Sequence, residues 1–442
     1  MKLTLLGGGG FRTPRVYQAV IDASAPVRPD ELVLYDTSLA RMSVVRAVVA
    51  GLPVPGGMRV TYTDDLDEAL RGADFVFSAI RVGGLEGRVA DERVALDLGV
   101  LGQETTGPGG LAYALRTIPV MRAIARKTAM LAPAAYLINF TNPAGIVTEA
   151  LRPILGDRVI GICDTPVGML RRIGRLLGRP VTGFDYAGLN HLGWLRSVRT
   201  DRGEELPGIL ADDAMLASIE EARLMGPEWG RRLGALPNEY LYYYYYTREA
   251  VEHLRAGKTR GERILAEEGR FYEQAQASPA RARELWEEAT REREATYMAE
   301  AAQGDREQTD TEDGGYQKVA LDIMAAITTG AETTLILNTA NSGEGERAII
   351  GALPADCVVE VPCRVDGDGV HPLPIAPVTG HMEGLLAWVK NVEQLTIQAA
   401  VEGRAELAWQ AMALHPLVDS VNIGRELIDG YRAAHPGLAY LA

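Results

Sequence analysis

Runs of consecutive apolar residues, each closed by glycine, proline or a small polar residue, mark the first third of the chain. Lys2–Leu6 reads as a buried strand that runs into Gly7-Gly8-Gly9-Gly10, with a helix expected around Thr13 to Ala23. Glu31–Tyr35, Asp74–Ile80, Tyr136–Phe140 and Arg158–Cys163 read as further strands of the same kind. Amphipathic stretches separate them. The one from Pro166 to Leu177 puts Leu170, Ile173, Leu176 and Leu177 at helical spacing and turns Arg171, Arg172 and Arg175 outward. Fully apolar strands alternating with helices predict a doubly wound parallel sheet, a Rossmann domain over residues 1–165.

After about residue 180 the rhythm changes. Phe184–Arg199 predicts antiparallel strands around His191. Helical patterns follow at Asp212–Leu224, Glu239–Leu254 and Arg260–Ala302, then at Val319–Thr328 and Leu385–Leu414, with a strand at Val358–Cys363. Residues 166–442 are therefore expected to form a second, α+β domain. The Arg/Glu alternation from Arg281 to Arg293 reads as a solvated helix face. Tyr240–Tyr246 holds six tyrosines in seven residues. On a helix they point in all directions, so most must pack, and one of them is available as a base.

A length of 442 residues suits two domains. The formal charge of −14 argues against a nucleic-acid partner, yet leaves room for a small anion held by one or two arginines. Three cysteines without paired or zinc-finger spacing fit a reducing compartment, the cytoplasm. The apolar start is too short for a signal-peptide core, and no run approaches the ~20 apolar residues of a membrane span.

Chemistry is expected at the strand ends, where open α/β sheets place their ligands. The turn Gly7–Gly10 lets backbone N–H groups approach a pyrophosphate at a helix N-terminus. Asp36, ending the second strand, is spaced to hold ribose hydroxyls and points to NAD rather than NADP; the alternative is that it only caps the segment from Thr37. Arg81 ends the third strand and could fork onto a hydroxyl, carboxylate or phosphate, or simply face water. Gly102–Gly110, dense in turn formers, reads as a binding loop. Asn142 before Pro143, and Thr165 before Pro166, look like helix N-caps. Cys163 and Asp164 end the fifth strand, and His191 follows Cys163 by 28 residues. A thiol and an imidazole could hold a divalent metal with open positions; the same two residues also suit a buried small apolar thiol and a satisfied core histidine.

Together GGGG-FRTP, IRVGG, GQETTGPGG, NFTNPAG, GICDTP, GLNHLGW, EYLYYY and Thr259-Arg260-Gly261-Glu262 resemble glycoside hydrolase family 4, from Lys2 to at least Pro374. These are the NAD- and divalent-metal-dependent phosphoglycosidases, with a lactate/malate dehydrogenase-like fold. The resemblance implies that Gly7, Gly8, Gly9, Gly10, Phe11 and Asp36 hold NAD+. Cys163 and His191 are by the same resemblance the ligands of Mn2+ or another divalent metal. It makes Tyr240 the base, and Arg81, Asn142 and Arg260 the contacts to the sugar phosphate or its hydroxyls. A thiolate and an imidazole suit Mn2+ less well than zinc, so the metal should bind modestly and exchange.

The chemistry implied is oxidation at C3, loss of the acidified C2 proton, elimination of the aglycone, addition of water and reduction. This route needs no carboxylate pair. The implied substrate is a phosphorylated disaccharide or aryl glucoside, and fold analogy suggests a homodimer or tetramer. Members acting on 6-phospho-α-glucosides tend to carry Asp after the metal Cys, where Asp164 would protonate the leaving group. FRTP, IRVGGLEGR, NFTNPAG and EYLYYY nevertheless resemble the 6-phospho-β-glucosidases more, and the β reading is preferred.

Overall fold

Along the first strands the side chains alternate between two apolar layers. Leu3, Leu5, Leu32, Leu34, Phe75 and Phe77 pack into one, and Leu6, Val76, Leu137 and Val159 into the other. A strand buried on both faces must be apolar throughout, which is why these segments read as continuous runs. The structure, a computed structural model, describes residues 1–22, 24–52, 54–295, 315–343 and 347–442.

Six strands, β1 (Lys2–Leu6), β2 (Glu31–Tyr35), β3 (Arg59–Thr63), β4 (Phe75–Ser78), β5 (Tyr136–Asn139) and β6 (Val159–Gly161), pair in parallel in the order β3-β2-β1-β4-β5-β6. That is the doubly wound order whose switch point lies between β1 and β4. The sheet continues beyond β6 with strands from the second half: β7 (Gly183–Leu189), β8 (Leu192–Thr200), β9 (Gly203–Glu204), β10 (Leu236–Pro237), β11 (Thr333–Ala340), β12 (Val358–Asp366) and β13 (Gly369–Pro372). All pair antiparallel, through Asn338–Gly161 between β11 and β6 and Glu360–Gly188 between β12 and β7. Helices cover this mixed sheet, giving a Rossmann-like N-terminal part and an α+β C-terminal part.

Several expected elements differ. The expected third strand is the fourth, because β3 was unread: its sequence, RVTYT, is polar and it lies at the sheet's edge. Neither expected N-cap forms. The helix Ala144–Leu155 starts after Pro143, and the amide of Ala144 is capped from afar by Asn190 Oδ1 at 3.1 Å, not by Asn142. Thr165 is already the first residue of its helix, after Asp164. The long pattern from Arg260 breaks at Ser278-Pro279 into helices Arg260–Ala277 and Ala282–Ala295. Its remainder from residue 296 lies outside the described residues. Glu239–Leu254 is a short 3-10 turn, Glu239–Leu241, followed by helices Tyr242–Tyr245 and Thr247–Ala256. Among the described residues no helix is long and apolar enough to cross a membrane.

Candidate active site

A cleft of about 770 Å³ opens at the carboxyl ends of the parallel strands and is lined from Gly7 and Asp36 at one end to His191 and Tyr240 at the other. The glycine turn is built for close approach. Gly7 sits at φ +94°, where a Cβ would also stand 3.0 Å from the Ala79 carbonyl oxygen. A Cβ on Gly8 would meet Leu34 at 2.8 Å. The helix Thr13–Ile21 follows without a side-chain cap, and its first residues line the cleft, where a helix N-terminus favours an anion. Asp36 does more than line the wall: its Oδ2 accepts the Gly9 N–H at 2.9 Å and its Oδ1 the Ser38 N–H at 2.9 Å. Capping of the helix Leu39–Val49 falls to Ser38. Tyr272 O–H donates to the Gly9 carbonyl and Trp286 Nε1 to that of Phe11, both at 2.8 Å. The helical pair from Arg260 to Ala295 thus braces the turn. These glycines, with an acid at the next strand's end, fit a dinucleotide.

At the other end, His191 occupies the two-residue turn between β7 and β8 and is the one non-glycine described residue at positive φ, 65°. Backbone held in a sparsely populated region is a mark of functional sites. Its Nδ1 shares a 3.0 Å hydrogen bond with Thr105 Oγ1, leaving Nε2 as the nitrogen for a cation. Burial, partly offset by the charge of Glu104, pushes the imidazole down to about 4, so the ring is neutral near pH 7, the form that ligates metal. The Tyr240 ring stacks on it with centroids 3.7 Å apart and planes 7° from parallel.

Cys163 is 3% exposed and lies beneath the lining, whereas Asp164 and Thr165 reach the cleft. Burial, then the nearby Glu360 and Asp164 charges, push its thiol well up, against smaller opposing hydrogen bonds from the Thr165 amide and hydroxyl. Thr165 Oγ donates to Glu239 Oε1 at 3.2 Å, and Glu239 adjoins Tyr240. The thiol segment and the His191–Tyr240 stack are joined through this contact. In kind, a buried thiol and a neutral imidazole fit a divalent cation. Among the described residues no group of three or more His, Cys, Asp or Glu side chains is arranged to hold one.

Arg81, Asn142 and Arg260 all line the cleft. Arg81 pairs with Glu104 at 2.7 Å, Glu104 with Arg88 at 2.9 Å, and Arg88 with Glu92 at 2.8 Å. Glu92 accepts the N–H of Gly261, next to Arg260, at 2.8 Å. A buried chain of ion pairs, ending in a hydrogen bond to the backbone beside Arg260, therefore links the two arginines. Burial pulls the Glu104 carboxyl up, but Arg81 and Arg88 outweigh it and hold it well below the usual carboxylate range. Sequence reasoning missed Glu104, Thr105, Glu92 and Glu239. The first two were detectable within the Gly102–Gly110 loop, which supplies partners to both Arg81 and His191.

Residues 2–179 match Family 4 glycosyl hydrolase, and residues 186–418 match the Family 4 glycosyl hydrolase C-terminal domain. A probable 6-phospho-beta-glucosidase of Bacillus subtilis is 31% identical over 465 aligned positions, covering 100% of this chain and 97% of the relative. The structure is similar to a 6-phospho-beta glucosidase from Thermotoga maritima solved with NAD and glucose-6-phosphate, with TM-score 0.81 and 26% identity over 99% of this chain and 98% of that one. A 6-phospho-alpha-glucosidase from gut microorganisms, in complex with NAD and Mn2+, gives the same TM-score of 0.81 and 26% identity, again over 99% and 98%.

Proposed function

This chain belongs to the family 4 glycosyl hydrolases, and from that premise we propose that it hydrolyses 6-phospho-β-glucosides by way of C2 deprotonation. The observation that carries the reading is a single cleft holding both a dinucleotide-shaped glycine turn and, at its far end, a tyrosine stacked on a neutral histidine. Gly7–Gly10, Phe11 and Asp36 would hold NAD+, and Cys163 and His191 a divalent cation such as Mn2+. When bound, the two supply a hydride acceptor for C3 and Lewis acidity beside it, which together acidify the C2 proton.

The protein's own groups do the rest. Tyr240 takes the C2 proton, its ring kept in place by His191. Asp164, at the head of the helix Thr165–Leu177, protonates the leaving oxygen. Arg81 and Asn142 bind the sugar's phosphate and hydroxyls together with Arg260, and the Glu104–Arg88–Glu92 chain fixes the distance between the two arginines. Because Glu104 already neutralises Arg81, this arginine contributes geometry as much as charge. On this reading residues 1–165 hold the nucleotide and also bring Arg81, Asn142, Cys163 and Asp164 to the sugar site, while residues 166–442 bring His191, Tyr240 and Arg260.

Asp164 alone favours the α anomer; FRTP, EYLYYY and the other segments favour β, as does the 31% identity to the Bacillus relative. Incubation with NAD+, Mn2+ and the nitrophenyl 6-phospho-α- and β-glucosides tests it. The β compound is expected to be cleaved faster, and the unphosphorylated glucoside barely at all. Turnover of the α compound alone reverses the anomeric assignment.

A further inference from the structure

We propose that Arg41 is a stacking platform for the adenine of the dinucleotide, and that its flat face rather than its charge holds the ring. The inference rests on the dinucleotide reading of the glycine turn. If Asp36 takes the adenosine ribose, the attached base lies beside it, next to the helix that opens after Ser38. Arg41 is in that helix's first turn, its amide on Ser38 Oγ at 3.3 Å. Its stem lies against the glycine turn, since a Cβ on Gly9 would stand 3.0 Å from the Arg41 Cβ.

The guanidinium is held against an aromatic ring. Its central carbon lies 4.2 Å from the centroid of the Tyr272 ring. Tyr272 is itself pinned by its hydrogen bond to Gly9. Tyr272 is buried behind the cleft wall, whereas Arg41 lines the cleft with 38% of its side chain exposed. The guanidinium therefore sits between the buried tyrosine, to which it also hydrogen-bonds, and the open cleft.

The charge is already answered. Glu268 lies 3.5 Å from the guanidinium, and Asp36 is close enough to favour the same charged form. With two carboxylates beside it, the site gives a ribose 2′-phosphate little advantage. What remains is a planar, weakly hydrated cation, and such a plane stacks on an aromatic ring in a way that a lysine ammonium cannot. Tyr272, Arg41 and adenine would form three layers.

Calorimetric titration of the full chain with NAD+, AMP and nicotinamide mononucleotide, for wild type, Arg41→Lys and Arg41→Ala, tests this directly. Both variants are expected to bind NAD+ and AMP about 3–30-fold more weakly, by similar factors, while binding of the mononucleotide, which has no adenine, is unchanged. If Arg41→Lys binds NAD+ like wild type, charge is the determinant and the proposal is wrong. Equal losses for all three ligands also overturn it, because they mean a disturbed glycine turn. So does wild type preferring NADP+ to NAD+ with Arg41→Lys retaining that preference. Wild type binding neither NAD+ nor AMP would instead refute the dinucleotide reading itself. Should Arg41→Ala fail to fold, the lysine variant with a matched thermal melt still decides between plane and charge.

Discussion

Tyr240→Phe is expected to lower turnover of a 6-phospho-glucoside by roughly 10²–10⁴-fold, the usual contribution of a general base, while leaving the fold intact. Of the six tyrosines between residues 240 and 246, Tyr240 alone lines the large cleft. Tyr243 is fully buried, Tyr245 O–H accepts from Trp194 Nε1, Tyr246 O–H donates to the Met225 carbonyl, and Tyr244 faces a separate cavity of about 20 Å³. Phenylalanine retains the ring that stacks on His191 and removes only the group that ionises. The check is kcat measured beside a thermal melt. A variant with an unchanged melt and unchanged kcat would remove Tyr240 from the chemistry.

Exhaustive chelation and dialysis should reduce turnover to background, and added Mn2+ should restore it. The proposed site has two protein ligands and leaves the remaining positions to water and substrate, so the cation should be readily lost. Cys163→Ser should raise the Mn2+ requirement by at least the roughly 10–100-fold that losing even an outer partner of a metal ligand costs. Proton release gives a second readout. Burial and the Glu360 and Asp164 charges keep the metal-free thiol protonated near pH 7, whereas His191, pushed down to about 4, is already neutral. Mn2+ binding should therefore expel about one proton and tighten as pH rises through the neutral range. Calorimetry in two buffers of different ionisation heat measures this. In Cys163→Ser the release should disappear. Activity that survives chelation would mean that Cys163 is only a buried core residue.

How far such assignments could be read from the sequence depended on what each signal encodes. Strands buried on both faces announce themselves as apolar runs, so β1, β2, β4, β5 and β6 were legible, and so was the turn to antiparallel pairing after residue 180. The edge strand β3 was not, because half-exposed RVTYT carries no core pattern. Pro143 and Pro166 located helix starts but not their caps: the oxygen that satisfies Ala144 comes from Asn190, on a hairpin 46 residues away. Residues marked by chemical type or by a turn, such as Asp36, His191 and Tyr240, stand out in the sequence, and all three line the cleft. Those whose role is to pair were not. Glu104, Arg88 and Glu92 are ordinary charged residues in sequence, and become a buried chain only when the loop and two helices meet. Local pattern carries no record of a contact between distant segments.

The central claim, that the glucoside is cleaved through loss and return of the C2 proton, is tested most directly by running the reaction in D2O and examining the sugar product by NMR. The abstracted proton can exchange with solvent before it returns, so the account predicts deuterium at C2 of the released glucose 6-phosphate. A product formed at full rate with only protium at C2 would contradict it, and would assign the cleavage to ordinary hydrolysis with Asp164 as the acid.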